Sequence, residues 1–93
     1  MMNDEDIIAD FVEWIKTKDP NEEYDYIDTH NCCFAQYLKD RGICKNPSVG
    51  PSSWWDRDNP SAPNVEYPFV IDRWVHKSAT FGEVLDKINK IYA

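Results

Sequence analysis

Long hydrophobic runs are missing from this sequence of 93 residues. The longest purely aliphatic or aromatic run covers residues 69–71, whereas a membrane-spanning helix needs about 20 apolar residues. The N-terminus is acidic at residues 4–6, where a secretory signal peptide would be basic. We therefore predict a cytoplasmic protein that has no membrane partner.

Glycine is scarce as well, with three in the whole chain. Phosphate-binding loops need glycine because the backbone must approach the phosphate closely, and the sequence contains neither a Walker pattern nor G-x-S-x-G nor H-E-x-x-H. Pairs of acids could serve glycosidase or nuclease chemistry, but acids are so abundant in this chain that such pairs do not identify an active site. The sequence therefore predicts a protein that is not an enzyme and that needs no cofactor.

Cysteine is also infrequent, and the three thiols of Cys32, Cys33 and Cys44 cannot all pair within the chain. Their number is odd, and a bond between the adjacent Cys32 and Cys33 would be strained. Free thiols are typical of a reducing compartment. The cysteines therefore agree with a cytoplasmic location.

Acidic residues dominate the charge, which is −7 in total. Residues 1–30 contain ten acids and two lysines, a net −8, whereas residues 31–93 contain seven acids and eight bases, a net +1. Such a field repels nucleic acid and membrane phosphates and attracts basic protein surfaces. We expect a partner protein with a basic surface and no direct binding of nucleic acid; a merely solubilising surface is the alternative.

The spacing of apolar residues predicts a mainly α fold, a compact single domain of three to four helices over residues 1–93. The first helix begins at Asn3 or Asp4, which can cap it, and ends before Pro20. Its apolar residues recur at positions i, i+3, i+4 and i+7. Three acids fall on the opposite side: Asp6, Asp10 and Glu13.

Capping residues in the sequence indicate where the second helix ends and where the last helix begins. A helix over residues 31–41 is expected to end in a Schellman motif, with Gly42 in the left-handed conformation and Ile43 touching Leu38. The last helix begins at Thr80, which forms a capping box with Glu83. Residues 19–28, between the first two helices, are predicted to be an ordered acidic connector, because tyrosines such as Tyr24 interrupt the acids.

Residues 45–66 show no periodicity and contain four prolines, so we predict a long irregular loop there. The conformation of residues 67–77 stays ambiguous. Pro68 at a helix start favours a short helix, whereas alternation of apolar residues favours a small β element near residues 67–75. The helix is the preferred of the two.

A thiol site is the alternative to a binding function. A cysteine at a helix N-terminus loses its proton more easily, and cysteine hydrolases bring a histidine to it from elsewhere. Cys32 or Cys33 with His76 would form such a small thiol enzyme. The same residues with His30 and Cys44 could form a zinc-thiolate domain, but the paired knuckles of structural zinc sites are missing. We therefore predict no metal site.

Binding candidates come from the acids and from two adjacent tryptophans. Tryptophan on an irregular loop is enriched among the anchors of protein interfaces, although one or both could instead cover a small core. We expect one to be buried and one partly exposed. The candidate partner-binding residues are Asp6, Asp10, Glu13, Glu22, Glu23, Asp25, Trp54 and Trp55.

Three segments resemble small acidic proteins of phages and prophages. They are the acidic, tyrosine-rich residues 24–28, the N-C-x-x-A-Q-[YF]-L pattern at residues 31–38, and the T-F-G pattern at residues 80–82. The three segments stand in matching order along the chain. The resemblance carries over no catalytic residue.

The resemblance implies a host-takeover factor, in its most specific form an anti-CRISPR-like inhibitor. Several inhibitors of that kind present acidic faces to nucleic-acid-binding surfaces of host complexes. On this reading, residues 4–28 would dock on a basic host protein in the host cytoplasm, and the chain would be a monomer or small homo-oligomer. A structural or assembly subunit of a larger machine is a further alternative.

Overall fold

Four helices and a small antiparallel sheet make up the computed structural model, which describes residues 3–24, 28 and 31–92. The helices α1 to α4 and strands β1 to β3 follow in chain order: α1 Asp4–Lys16, α2 Cys33–Asp40, β1 Pro47–Val49, β2 Ser53–Asp56, β3 Val65–Glu66, α3 Phe69–Val75 and α4 Phe81–Tyr92. The sheet has the order β1-β2-β3, antiparallel throughout. The predicted helices are confirmed, but the fold is mixed α/β rather than mainly α.

The sheet lies within residues 45–66, where an irregular loop was predicted. That prediction was wrong because strands of two to four residues are too short for apolar alternation to stand out. The prolines are compatible with them: Pro47 is the first residue of β1, a position where proline is tolerated. The β element considered near residues 67–75 is helix α3 instead, which begins directly after Pro68.

The predicted ends of α1 and α2 are confirmed. Asn3 caps α1, and its Oδ1 accepts a hydrogen bond from the backbone N–H of Asp6 at 2.9 Å. At the end of α2, Gly42 has a φ of 69°. The N–H of Ile43 donates to the carbonyl of Leu38 at 3.0 Å, which is the long hydrogen bond of a Schellman motif.

The core is built mainly from aromatic rings. Phe11 of α1 is fully buried, and four other rings have their centroids 5.3 to 6.3 Å from its own. These four rings are Trp14, Phe34, Tyr37 and Trp74. They belong to α1, α2 and α3, so one cluster holds three helices together. The fourth helix joins through Phe81, whose ring packs on Trp14 at 5.8 Å.

The acidic connector is ordered over residues 19–24, and its backbone caps α4. The carbonyl oxygens of Pro20 and Glu22 accept hydrogen bonds from the N–H groups of Gly82 and Phe81, at 3.0 and 3.2 Å. The first turn of a helix leaves such N–H groups without partners. At the capping box, Glu83 donates its N–H to Thr80 Oγ1 at 3.2 Å as predicted, whereas the Glu83 carboxylate accepts from the N–H of Ala79 at 2.6 Å instead of that of Thr80.

One acid of α1 is structural. Asp10 was expected on the solvent side, but its Oδ2 accepts from the hydroxyl of Tyr37 at 2.7 Å and pairs with Arg41 Nε at 3.3 Å. Both partners come from the end of α2, so periodicity within α1 cannot reveal them. Asp6 and Glu13 are exposed, as expected.

We predict that Asp10→Ala destabilises the protein by about 1–3 kcal/mol, because the hydroxyl of the buried Tyr37 loses its acceptor. Glu13→Ala is the control. Its side chain is 71% exposed and meets Lys16 at 3.7 Å, so its effect should stay within about 0.5 kcal/mol. Urea unfolding measures both, and equal effects of the two substitutions would show that Asp10 is an ordinary surface acid.

Gly82→Ala should destabilise the protein by about 1–3 kcal/mol, even though alanine is intrinsically the better helix former. A Cβ at Gly82 would lie 2.7 Å from the carbonyl oxygen of Pro20, so the connector must move away from α4. Gly50→Ala is the matched control, since its Cβ would meet Ser53 O at an ordinary 3.5 Å. Thermal unfolding compares them, and a Gly82→Ala protein as stable as the wild type would contradict the close contact.

Candidate functional site

An apolar groove of about 550 Å³ lies among the start of α1, the end of α2, and strands β2 and β3. Its inner part is formed by buried core residues such as Phe34, Leu38 and Tyr67. The same aromatic cluster that fixes the helices therefore also provides the floor of the groove. Its volume falls in the range of about 300–1,000 Å³ that is usual for small-molecule and cofactor pockets.

The rim of the groove is apolar on one part and acidic on another. Ile43 and Val65 line it with 42% and 45% of their surface exposed. Asp4 and Glu66 also line it and are both exposed. Exposed apolar side chains that cluster around a concave surface are typical of interaction sites, whereas isolated ones are ordinary.

The two adjacent tryptophans point to opposite faces of the sheet, because successive side chains alternate along a strand. Trp54 pairs with Val49 on β1 and Val65 on β3, is half-buried, and lines the groove. Trp55 pairs with Ser48 and is 37% exposed on the other face. Of the two predicted anchors, the structure therefore brings Trp54 to the groove.

The acids predicted for partner binding lie in different surroundings. Asp6 and Glu13 are exposed on α1, and Glu22 and Glu23 are exposed on the connector. Asp10 is engaged by Tyr37 and Arg41, as described above. Asp25 lies outside the described residues. The acids at the rim of the groove are instead Asp4, the first residue of α1, and Glu66 of β3.

Sequence reasoning missed the apolar rim of the groove. Ile43 was expected to touch Leu38 at the end of α2, and the Schellman hydrogen bond does place it directly after that helix, but its exposure depends on what packs nearby. Val65 had no signal at all, because it is recognisable only once β3 is known to be a strand. Glu66 was missed for the same reason.

A second, smaller cleft of about 220 Å³ brings together side chains that the sequence singled out for thiol chemistry. Cys32 and His76 both line it, together with Asp72, which was not among the predicted residues. Cys33, the neighbouring candidate, is fully buried in the core. His30 lies outside the described residues. Within residues 3–24, 28 and 31–92, no three histidine, cysteine or acidic side chains are arranged to hold a metal ion.

The surroundings of the thiols favour the protonated form. Burial raises the pKa of Cys32, and the backbone N–H groups of Ala35 and Phe34 at the start of α2 oppose this more weakly. Burial likewise raises the pKa of Cys33 and of Cys44. The helix N-terminus was expected to favour thiolate at Cys32, but burial outweighs it. All three residues are free thiols.

No family model matches the chain, and comparisons with curated proteins and with solved structures likewise gave no match. The resemblance to phage proteins therefore stays a prediction. No helix in the described residues is long and apolar enough to cross a membrane. Function has to be inferred from the groove, the cleft and the distribution of charge.

We predict that iodoacetamide modifies the three native cysteines at least roughly tenfold more slowly at neutral pH than it modifies the unfolded chain, because both burial and a raised pKa reduce the reactive thiolate. A raised pKa keeps a thiol protonated to a higher pH than the ordinary value of 9.0 does, so less thiolate is present at neutral pH than in the unfolded chain. Mass spectrometry locates the modified residue. One thiol reacting at the rate of the unfolded chain would contradict this prediction.

Proposed function

We propose that this protein is a non-enzymatic binding module whose acidic N-terminal region docks on a basic surface of a partner protein. One observation supports it most directly: Asp4, at the start of the acidic helix, and Trp54, the candidate anchor, line the same groove. The acidic segment and the apolar anchor are thus adjacent, although 50 residues of sequence separate them. A single partner surface can contact both.

Charge and apolar contact would have different roles in such a complex. Exposed carboxylates attract a basic partner over a distance and orient it, but they add little affinity individually. Affinity in protein interfaces comes from a few apolar or aromatic side chains near the centre. Trp54, Ile43 and Val65 supply that kind of surface, with Asp4 of the acidic segment beside it.

In its most specific form, the proposal is a phage-encoded, anti-CRISPR-like inhibitor acting in the host cytoplasm. The exposed carboxylates of Asp6, Glu13, Glu22 and Glu23 would take the place of phosphates on a host surface that normally binds nucleic acid. The resemblance to phage proteins and the sign of the charge favour this form. Asp10 is left out because Tyr37 and Arg41 already use its carboxylate.

Affinity capture from bacterial lysate at low and at high ionic strength tests this function. We expect a nucleic-acid-binding protein to be retained at low salt and released at high salt, because salt screens exposed charges. Glu13→Lys should weaken the capture more than Asp86→Lys does, since both change the charge by two units but Asp86 is an exposed residue of α4 that does not belong to the acidic segment. The captured protein should also release the module when short DNA or RNA is added.

Two outcomes would contradict the proposal. Capture that is insensitive to salt would exclude an electrostatic docking surface. Equal effects of Glu13→Lys and Asp86→Lys would show that total charge matters and that the acidic N-terminal region does not.

Thiol chemistry at Cys32 is the second candidate function. The observation in its favour is that Cys32, His76 and Asp72 line one cleft, which are the residue types of a nucleophile, a base and an orienting acid. The raised pKa of Cys32 weighs against it. Fast alkylation of native Cys32 that slows in His76→Gln would favour this candidate over the binding module.

A further inference from the structure

The groove has apolar surface that the described part of the chain leaves uncovered. Ile43 lies at its edge directly after the end of α2, and Val65 lies in the two-residue strand β3. Trp54, half-buried and packed against the core, lines the same groove. These three side chains come from distant parts of the sequence and meet around one concave surface.

Two carboxylates at the rim keep their charge available. Within residues 3–24, 28 and 31–92, the ion pairs involve other acids, namely Asp10, Glu13 and Asp40. Asp4 belongs to the acidic first turn of α1, where the helix dipole offsets only about half a charge. Glu66 approaches the groove from the sheet. An occupant therefore meets negative charge on two sides.

We propose that the groove takes a short segment of a partner protein in which apolar side chains are flanked by lysine or arginine. This rests on the proposed function and names what would occupy the site. The apolar side chains fill the groove and contact Trp54, Ile43 and Val65, and the flanking cations meet Asp4 and Glu66. Amphipathic segments commonly bind in apolar grooves in this way.

Charge argues against the other occupants. A second copy of this chain also carries −7, so pairing two grooves would bring like charges together. Nucleic acid and anionic lipid are repelled for the same reason. A basic and apolar protein segment is the occupant that satisfies both the lining and the rim.

Selection from a displayed library of random short peptides on the wild-type protein tests the proposal. We expect enriched peptides with neighbouring apolar residues and flanking lysine or arginine. Ile43→Lys and Val65→Lys should each weaken their binding by about tenfold or more, because a cation then enters the apolar groove. Both positions are exposed, so folding should persist, and circular dichroism verifies it.

Matched variants separate apolar from charged contributions. Phe69→Lys is the control for the groove, since Phe69 is 59% exposed but does not line it. Peptide binding by this variant should stay within about twofold of that by the wild type. Asp4→Asn combined with Glu66→Gln should weaken binding by about threefold or more and reduce its salt dependence, because two charges are lost at the rim.

Each remaining outcome overturns the proposal in a distinguishable way. Failure to enrich any peptide, or equal binding to wild type and Val65→Lys, excludes the groove as the site. Enriched peptides that are acidic or uncharged exclude the role of the rim. If Glu13→Lys abolishes binding and Val65→Lys does not, acidic docking stands and the groove proposal fails. If sedimentation shows a dimer that Val65→Lys dissociates, the occupant is a second copy.

Discussion

The ring of Phe11 lies where α1, α2 and α3 meet, and the positions of the other parts depend on it. Its four aromatic neighbours pack at tilted, edge-on and stacked angles, and each such pair stabilises beyond the area it buries. A small domain buries a limited fraction of its surface, so large rings with specific geometry are an effective way to fix three helices. The relative positions of α1 and α2 then place one edge of the groove.

The acidic connector stabilises the fold through its backbone and leaves acidic side chains exposed. Its backbone carbonyls, those of Pro20 and Glu22, complete the first turn of α4. The side chains of Glu22 and Glu23 point to solvent and are exposed. Because the structural role belongs to the backbone, the carboxylates are available for a partner. In α1 different residues have these two roles. Asp10 links α1 to α2, whereas Asp6 and Glu13 are exposed at the surface.

The helices were predictable because their signals are local. The cap at Asn3 and the left-handed residue Gly42 act within a few residues of the backbone they satisfy. The sheet was not predictable, since β1, β2 and β3 depend on pairing with one another rather than on their own short sequences. The same distinction applies to the candidate site. Trp54 was found by residue type, but the exposure of Val65 and the engagement of Asp10 are set by contacts distant in sequence.

The electrostatics of Cys32 follow the same logic. A helix N-terminus favours thiolate, and that effect can be read from the sequence. The opposing effect is burial, which depends on how α2, β1 and α3 close around the thiol, and it is the larger of the two. The sequence therefore indicates that the helix N-terminus lowers the pKa of Cys32, and the packing around the thiol makes the net shift upward.

The contact between Pro20 and Gly82 also constrains how the chain folds as it is synthesised. Tyr24 and Ala79 are joined by a hydrogen bond in the same region, and Glu23 bridges Thr80. The connector emerges early from the ribosome, but its partners emerge only with α4. Until then the connector lacks the hydrogen-bond partners that Ala79 and the start of α4 provide, so α1 and α2 can associate before the connector reaches its native position. Native structure in this region is therefore completed only once α4 has left the exit tunnel.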